Sequence, residues 1–546
     1  MSRAMTAGWR RVTTLAAASY AALALWPLQA EPIATDAGLV EGVTLASGVR
    51  AWFGIPQAAP PVRELRWRAP QPVGRWNGVL HADRQAPMCL QVLRTRTMNH
   101  YFGNEATSEN CLYLNVWAPP FGDFQGSPAR AEKQPVIVWI YGGGFNVGSA
   151  SMANYSGENL AASGVVRVNL AYRLGALGFL AHPELTRESG YDGSGNYGLM
   201  DLVAGLQWVQ RNIAAFGGDP ANVTIAGQSA GSMAVALLQA SPQARGLFTK
   251  VVGMSGSPFG DPLTAVTLEE GEAAGLALQQ ALGAQSIEDL RDIGGDKIVA
   301  ASVAREPIVI DGRYVIGAQA AFESQQHSDV PIMLGFTRDE SFRALGRVAS
   351  VAELRAAVER MFPTTEAAVL EAYRATDVAS AARAAADIGR DSSVGAQMAN
   401  WAHAQAKYSR SPAYAYFFTR RQPYAPAITF IDHDPATAGA YHSAEIPYFL
   451  RTRESLNLFR QTRIWEEVDA ELERDMTALL VSFARDGKPE SERVHAWPRF
   501  EPARPRVVSL GEKISVIDWP NYASLPLLAA PIAVAPSEPA RPRARD

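Results

Sequence analysis

Short apolar runs alternate with longer amphipathic stretches through the middle of the chain. The runs 136–140 and 223–226 are continuous and rich in β-branched residues, which is typical of strands buried on both faces. A helix is predicted between them over 199–216, where apolar residues recur at helical spacing. Those residues share one face and are Leu202, Leu206, Val209 and Ile213. The alternation predicts an α/β fold with a large, mostly parallel central sheet flanked by helices.

The same alternation continues without a linker-like boundary. Residues 31–528 are therefore predicted to form one domain, although a chain of 546 residues is long enough for several. Residues 529–546 are rich in proline, alanine and arginine, which predicts a flexible tail because they cannot bury enough apolar surface to fold. Residues 1–30 carry early arginines and an apolar run from Leu15 to Trp26, which is typical of a secretory signal peptide. We therefore expect an exported protein, periplasmic or secreted.

Composition and charge exclude some partners. A net charge of −4 with 19% charged residues argues against a nucleic-acid partner, which needs a strongly basic surface. Beyond the signal segment, no apolar run is long enough for a stable membrane span.

The two cysteines, Cys89 and Cys111, favour a disulfide after export. Closing a loop of roughly 20 residues would stabilise the fold by about 3 kcal/mol. The oligomeric state stays open.

A Gly-Gln-Ser-Ala-Gly pattern at 227–231 lies between the second buried strand and an apolar helix over 233–238. A strand, a sharp turn and a helix in this order form the elbow that presents a nucleophilic serine at a strand end. Because the turn brings backbone close to backbone, glycines are needed on both sides. Ser229 is therefore the candidate nucleophile.

Three consecutive glycines follow the first buried strand, within the segment Tyr141–Phe145. Successive glycines are unfavourable for folding entropy, so such a loop indicates that backbone N–H groups must approach a ligand atom. Here that atom would be the oxyanion of a tetrahedral intermediate. The predicted donors are the backbone N–H groups of Gly143, Gly144 and Ala230.

A serine nucleophile needs a base, and the base needs a carboxylate that holds it in one tautomer. Of the eight histidines, His442 is the candidate base, because it lies late in the chain in a loop-like segment. The candidate acid follows a predicted strand over 331–335, at the strand end where open α/β sheets place active-site residues. Asp339 and Glu340 both qualify there, and the pattern does not separate them.

Together these residues resemble the type-B carboxylesterase family, which includes cholinesterases and bacterial esterases. The resemblance covers nearly the whole predicted domain. Its motifs follow the family's order and are Gly54-Ile55-Pro56, Leu65-Arg66-Trp67, Glu109-Asn110-Cys111-Leu112-Tyr113-Leu114-Asn115-Val116, Phe216-Gly217-Gly218-Asp219-Pro220, the serine elbow, the His442 segment and Trp497-Pro498.

The resemblance implies an α/β-hydrolase fold and the hydrolysis of carboxylic esters through an acyl-enzyme, without metal or cofactor. It assigns the acid to Glu340 rather than Asp339, and it implies a bridge between Cys89 and Cys111. The residues that it places in the site are the triad Ser229, Glu340 and His442 and the oxyanion-hole residues Gly143, Gly144 and Ala230.

Some positions depart from the family's pattern. Gln228 precedes the serine where glutamate is usual, and the loop 92–101 lacks the tryptophan with which cholinesterases hold choline. Both departures favour neutral esters over cationic ones. The resemblance also implies a structural ion pair between Glu109 and Arg173, although Arg173 follows Ala-Tyr where Asn-Tyr is usual.

The predicted function is a serine carboxylic-ester hydrolase that acts on a small neutral ester. The alternatives are a lipase, an esterase specialised for a polyester or a toxin, and a non-catalytic binding relative, which would typically lack a triad residue. The segments 260–330 and 345–430 are expected to form the pocket walls. They give no indication of acyl size or leaving group.

Overall fold

The computed structural model describes residues 28–29, 31–95, 97–99, 106–120, 133–260, 265–302, 306–342, 345–346 and 348–528. The predicted tail, and all of the predicted signal peptide except residues 28–29, lie outside these ranges. Within them, no helix combines the length and the apolar character needed to cross a membrane.

A twelve-stranded sheet forms the centre of the described fold. Its strands in chain order are β1 (Leu28–Gln29), β2 (Val43–Thr44), β3 (Arg50–Pro56), β4 (Tyr113–Ala118), β5 (Gln134–Ile140), β6 (Val166–Leu170), β7 (Gly218–Gln228), β8 (Lys250–Met254), β9 (Ile332–Thr337), β10 (Ala413–Phe418), β11 (Arg506–Leu510) and β12 (Ser515–Asp518). Their order in space is β1-β2-β3-β4-β6-β5-β7-β8-β9-β10-β11-β12. Neighbours from β6 to β11 are parallel, and the pairs at both edges are antiparallel. The predicted mostly parallel sheet is thus confirmed.

Helices flank this sheet, as predicted. The longer ones are α1 (Tyr197–Asn212), α2 (Ala230–Ala240), α3 (Leu268–Ala281), α4 (Val351–Met361), α5 (Val378–Arg390), α6 (Ala396–Tyr408) and α7 (Glu467–Asp486). The shorter ones are Glu158–Ala161, Gly175–Phe179, Pro183–Glu188, Ile287–Asp292, Gly295–Ala301, Ala318–Glu323, Glu366–Ala372 and Ile446–Phe449. Strands β6, β8, β9 and β10 are buried along their whole length, which agrees with the largely apolar sequences of β9 and β10. Strands β6 and β8 also bury polar side chains, namely Arg167, Asn169 and Lys250.

The predicted elements differ from the observed ones at their ends, as two examples show. The helix predicted over 199–216 is α1, which ends at Asn212 and continues as a 3-10 turn over Ile213–Phe216. The strand predicted over 331–335 is β9, which extends through Phe336 and Thr337 because both pair with β10. The loop that carries the candidate acid is therefore shorter than expected.

A disulfide joins Cys89 to Cys111, as predicted, with their Cα atoms 4.9 Å apart. Beside it the short strands Met88–Cys89 and Thr107–Ser108 pair in parallel. The remaining small sheets consist of Ile33–Ala34, Leu39–Glu41 and Val79–His81, and of Ala265–Val266 and Ile308–Val309. The bridge closes the base of a loop that reaches the cavity described below.

The prediction of an ion pair between Glu109 and Arg173 was wrong. Glu109 instead binds Arg66 through both carboxylate oxygens, at 2.7 and 2.6 Å. Arg173 binds Asp201 of α1 in the same two-pronged way, at 2.8 and 2.7 Å. Each carboxylate therefore has a guanidinium group that fits its two oxygens, and neither is left for the expected pairing.

Candidate active site

Ser229 lies at the turn between β7 and α2. Its backbone adopts φ 58° and ψ −124°, a rarely populated conformation that stores on the order of 1–3 kcal/mol of strain. Hydrogen bonds hold the turn on both sides. The Ser229 N–H donates to the Met254 carbonyl at 2.8 Å, and the Met233 N–H donates to the Ser229 carbonyl at 2.9 Å. The half-buried hydroxyl is thereby presented at the carboxyl end of the sheet.

Close backbone approaches explain the glycines around this turn. A Cβ atom at Gly231 would lie 2.1 Å from the carbonyl oxygen of Ile140 in β5. Gly143 has φ 118°, and a Cβ atom there would lie 2.0 Å from the carbonyl oxygen of Val147. Any side chain at either position would displace the backbone of the site.

The predicted oxyanion donors have N–H groups available for a ligand. Ala230 is the first residue of α2, so its N–H has no partner within the helix. No backbone hydrogen bond to a described residue uses the N–H of Gly143 or Gly144. A Cβ atom on Gly144 would meet no heavy atom within 4 Å, so this part of the loop faces open space.

The contacts of the two candidate acids distinguish them. The Glu340 side chain is fully buried, and its Oε2 lies 2.5 Å from His442 Nδ1. Its other oxygen accepts from a backbone N–H at the end of β9, at 2.6 Å. Asp339 instead binds two arginines, Arg338 and Arg383, each at 2.9 Å. The fold thus brings Glu340 to the imidazole, whereas Asp339 binds the two arginines and the backbone N–H of Ala440.

A π-helix, Asp391–Gly395, supports the loop that carries Glu340. The Phe342 N–H donates to Ser393 Oγ at 3.2 Å. The Phe342 ring packs edge-on against the imidazole of His442, with their centroids 4.9 Å apart. Such π-helical turns are frequent at functional sites, and this one positions the acid and one side of the imidazole.

The second nitrogen of His442 faces Gln228, with 3.2 Å between the amide Nε2 and the imidazole Nε2. The Glu340 carboxylate faces Nδ1 and accepts a hydrogen bond from the proton there, so the imidazole Nε2 accepts from the Gln228 amide. This is the tautomer that a general base requires. Sequence analysis noted Gln228 as a departure from the family but did not predict its contact with the imidazole.

A second buried carboxyl group lies close to the first. The Glu445 Oε1 accepts a hydrogen bond from Ser255 Oγ at 3.2 Å, and Oε2 has no partner among the described residues. Burial, together with the negative charge of Glu340, raises the pKa of Glu445 to about 8. Glu445 is therefore mostly protonated at neutral pH, and the site holds one carboxylate rather than two.

One cavity of about 860 Å³ joins the accessible parts of the site. Ser229, His442, Gly143 and Gly144 all line it, while Glu340 lies behind the imidazole. Within the described residues, no group of three histidine, cysteine, aspartate or glutamate side chains is arranged to hold a metal ion.

The walls of the cavity come from other segments than expected. Of the described residues in the segments 260–330 and 345–430, only Phe430 lines it. The walls are formed instead by the loop after Cys89, by the loop after β5 and by the segment 441–463. Sequence analysis missed the part 455–463 of the last segment, because its residues belong to no motif and reach the cavity only through the tertiary fold.

Comparisons with known proteins agree with this architecture. The model of the carboxylesterase family matches residues 29–524. The fumonisin B1 esterase of Sphingopyxis macrogoltabida is 36% identical over 494 residues, which are 88% of this chain and 86% of that protein. The para-nitrobenzyl esterase of Bacillus subtilis (strain 168) is 31% identical over 508 residues, which are 90% and 96% of the two chains.

Solved structures give the same result. A PNB esterase superposes with a TM-score of 0.75 at 30% identity, covering 92% of this chain and 99% of the other. A thermophilic PNB esterase also gives a TM-score of 0.75 at 30% identity.

Proposed function

The chain belongs to the carboxylesterase family, and from that premise we propose that Ser229, Glu340 and His442 form the catalytic triad of this serine carboxylic-ester hydrolase. One observation carries the proposal: a fully buried carboxylate lies 2.5 Å from the imidazole that shares a cavity with the elbow serine. A structural histidine would not need a buried carboxylate on one nitrogen and an accessible cavity on the other.

The proposed reaction has two halves. His442 Nε2 takes the proton of Ser229 Oγ as this oxygen attacks the ester carbonyl, and Glu340 stabilises the imidazolium that forms. The backbone N–H groups of Gly143, Gly144 and Ala230 bind the oxyanion. His442 then protonates the leaving alcohol, and water repeats these steps on the acyl-enzyme. Gln228 occupies Nε2 in this structure, so its amide must give way to the serine hydroxyl when the substrate binds.

We propose neutral esters over cationic ones, because the residue before the nucleophile is an uncharged amide. The loop 92–101 lacks a tryptophan but ends in Tyr101, an aromatic residue that would offer a cation a weaker platform, and Tyr101 lies outside the described residues. The similarity to a fumonisin B1 esterase supports a second candidate substrate, fumonisin B1 itself. Incubation with fumonisin B1 and mass analysis of the products would test it directly.

We also propose that residues 31–528 act as one exported domain. A disulfide between Cys89 and Cys111 supports export, since such bonds persist in oxidising compartments. The predicted signal peptide is consistent with this destination.

Replacing the nucleophile tests the proposed function. Ser229→Ala should lower the rate of p-nitrophenyl ester hydrolysis roughly 10⁶-fold, because only binding and the oxyanion hole would remain. A fluorophosphonate probe should label the wild type and not this variant. Ser324→Ala is the matched control, since Ser324 is exposed and does not line the cavity. Labelling of the Ser229→Ala variant would place the nucleophile elsewhere.

A further inference from the structure

The cavity carries positive charge that the proposed reaction does not use. Three arginines line it: Arg94, Arg460 and Arg463. Among the described residues of the lining, none is an aspartate or a glutamate. The catalytic carboxylate itself lies behind the imidazole, with no exposed side-chain surface. A substrate in this cavity therefore meets fixed positive charge on its wall.

Arg460 and Arg463 lie on one wall of the cavity, against the loop that carries Arg94. Arg460 donates to a backbone carbonyl of the segment 97–99 at 3.4 Å, and Arg463 donates to a side-chain amide oxygen of the same segment at 2.8 Å. This segment begins three residues after Arg94 in the loop closed by the disulfide. Both guanidinium groups also lie over the Phe430 ring, at 4.9 and 5.5 Å from its centroid. We call these three side chains the arginine wall.

Little negative charge balances this wall. Arg463 is 1% exposed, yet its hydrogen bonds go to neutral acceptors, among them Gln422 Oε1 at 2.8 Å. Arg460 donates to backbone carbonyls, and neither of these two arginines forms an ion pair with a described carboxylate. The Coulomb attraction of Asp432 acts on Arg94, but Asp432 does not line the cavity. Arg460 and Arg463 are therefore cations in a partly desolvated wall without a paired carboxylate among the described residues, which favours the binding of an anion.

We infer that the preferred substrate is an ester that carries a free carboxylate in addition to the ester bond, and that this carboxylate binds to the arginine wall. The planar guanidinium fork matches the two oxygens of a carboxylate. Arg460 uses only some of its five N–H groups on described acceptors, so it retains donors for a ligand. The inference rests on the proposed catalytic site and adds a substrate class to it: anionic esters first, then neutral ones, then cationic ones.

A competing explanation is that the arginines only fasten the disulfide loop to the segment 424–463. Their contacts with the segment 97–99 serve that purpose too. The two explanations differ in one measurable respect, because a fastening role gives no reason for the wild-type enzyme to distinguish a charged ester from an uncharged one of the same shape.

The first experiment compares two matched ester pairs in the wild-type enzyme. Mono-p-nitrophenyl glutarate and p-nitrophenyl pentanoate differ by a carboxylate on the acyl side. The pentanoate ester of 4-hydroxybenzoate and that of its methyl ester differ by a carboxylate on the alcohol side, with rates normalised to uncatalysed hydrolysis. In at least one pair, kcat/KM should favour the anionic ester about tenfold or more, mainly through KM. The ratio should fall as sodium chloride is added.

The second experiment removes one charge. Arg460→Gln should lower the anionic-to-neutral ratio at least about fivefold, because one Coulomb partner is lost. Arg374→Gln is the matched control, since Arg374 is exposed and does not line the cavity, and it should keep the wild-type ratio. If Arg460→Gln does not fold, the salt dependence of the wild-type ratio still decides between the two explanations.

Two outcomes would overturn the inference: ratios near one in both pairs, or a preference that neither added salt nor Arg460→Gln reduces. A failure of the proposed function can be told apart from a failure of this inference. If neutral esters are turned over and Ser229 is labelled, but the anionic esters gain nothing, only the inference is wrong. If turnover does not depend on Ser229, the catalytic assignment is wrong as well.

Discussion

Two adjacent carboxylates, Asp339 and Glu340, differ completely in what they contact. The variant Glu340→Gln should still fold. Its kcat should be roughly 10⁴-fold lower than that of the wild type, because an amide supports the wrong imidazole tautomer and carries no charge. Asp339→Asn should lower kcat far less, since Asp339 binds Arg338 and Arg383 and does not contact the imidazole. Steady-state rates with one p-nitrophenyl ester compare the two variants. The opposite ranking would transfer the role of the acid to Asp339.

Single residues were predictable where a local pattern required them. Ser229 and the glycines beside it follow from the geometry of a strand, a sharp turn and a helix, all within a few residues. The choice between Asp339 and Glu340 was open from the residues alone, because both lie in the same loop and differ only in their tertiary contacts. Arg463 had no local signal at all. It reaches the cavity from a segment without a motif, and only the folded chain brings it beside the loop after Cys89.

At the scale of elements, the disulfide loop links stability to the cavity. The bridge spans a sequence separation of 22 residues, and its loss should lower the free energy of unfolding by about 3 kcal/mol through the greater entropy of the unfolded chain. A variant with both Cys89→Ser and Cys111→Ser should show this loss in urea unfolding. Reductant should destabilise the wild type by a similar amount and leave the double variant unchanged. Equal stabilities of the two oxidised proteins would show that the bridge is dispensable.

Helices and strands with a clear hydrophobic pattern were predictable, but the residues at which they end were not. The helix α1 was predictable because the spacing of its apolar residues is a local feature of the sequence. The extension of β9 through Phe336 and Thr337 depends on pairing with β10, which lies far away in sequence. The π-helix Asp391–Gly395 had no signal either, since it is one irregular turn between two ordinary helices, α5 and α6.

At the scale of the whole molecule, the buried Glu445 makes folding stability depend on pH. Its pKa is raised to about 8 in the folded state, from 4.5 in the unfolded chain, by burial and by the charge of Glu340. The folded protein thus holds this proton more tightly than the unfolded chain. The stabilisation is complete below about pH 4.5 and is lost as the pH rises through about 8.

Glu445→Gln should remove this dependence. Between pH 5 and pH 8 the free energy of unfolding of the wild type should fall more than that of the variant, by on the order of 3 kcal/mol. Urea unfolding at a series of pH values measures both slopes. Glu359→Gln, at an exposed position, is the control and should keep the wild-type slope. Parallel curves for the wild type and Glu445→Gln would show that this carboxyl is not the source of the dependence.

The arginine wall also bears on how turnover ends. Every cycle of an esterase converts an ester into a carboxylic acid, which is ionised at neutral pH. In this enzyme the new anion forms within a cavity whose described lining offers three guanidinium groups and no carboxylate. The acid must therefore leave against the same attraction that draws an anionic substrate in. We therefore expect product departure, rather than bond cleavage, to limit turnover at low ionic strength, and accumulating acid to slow the enzyme before its substrate is exhausted.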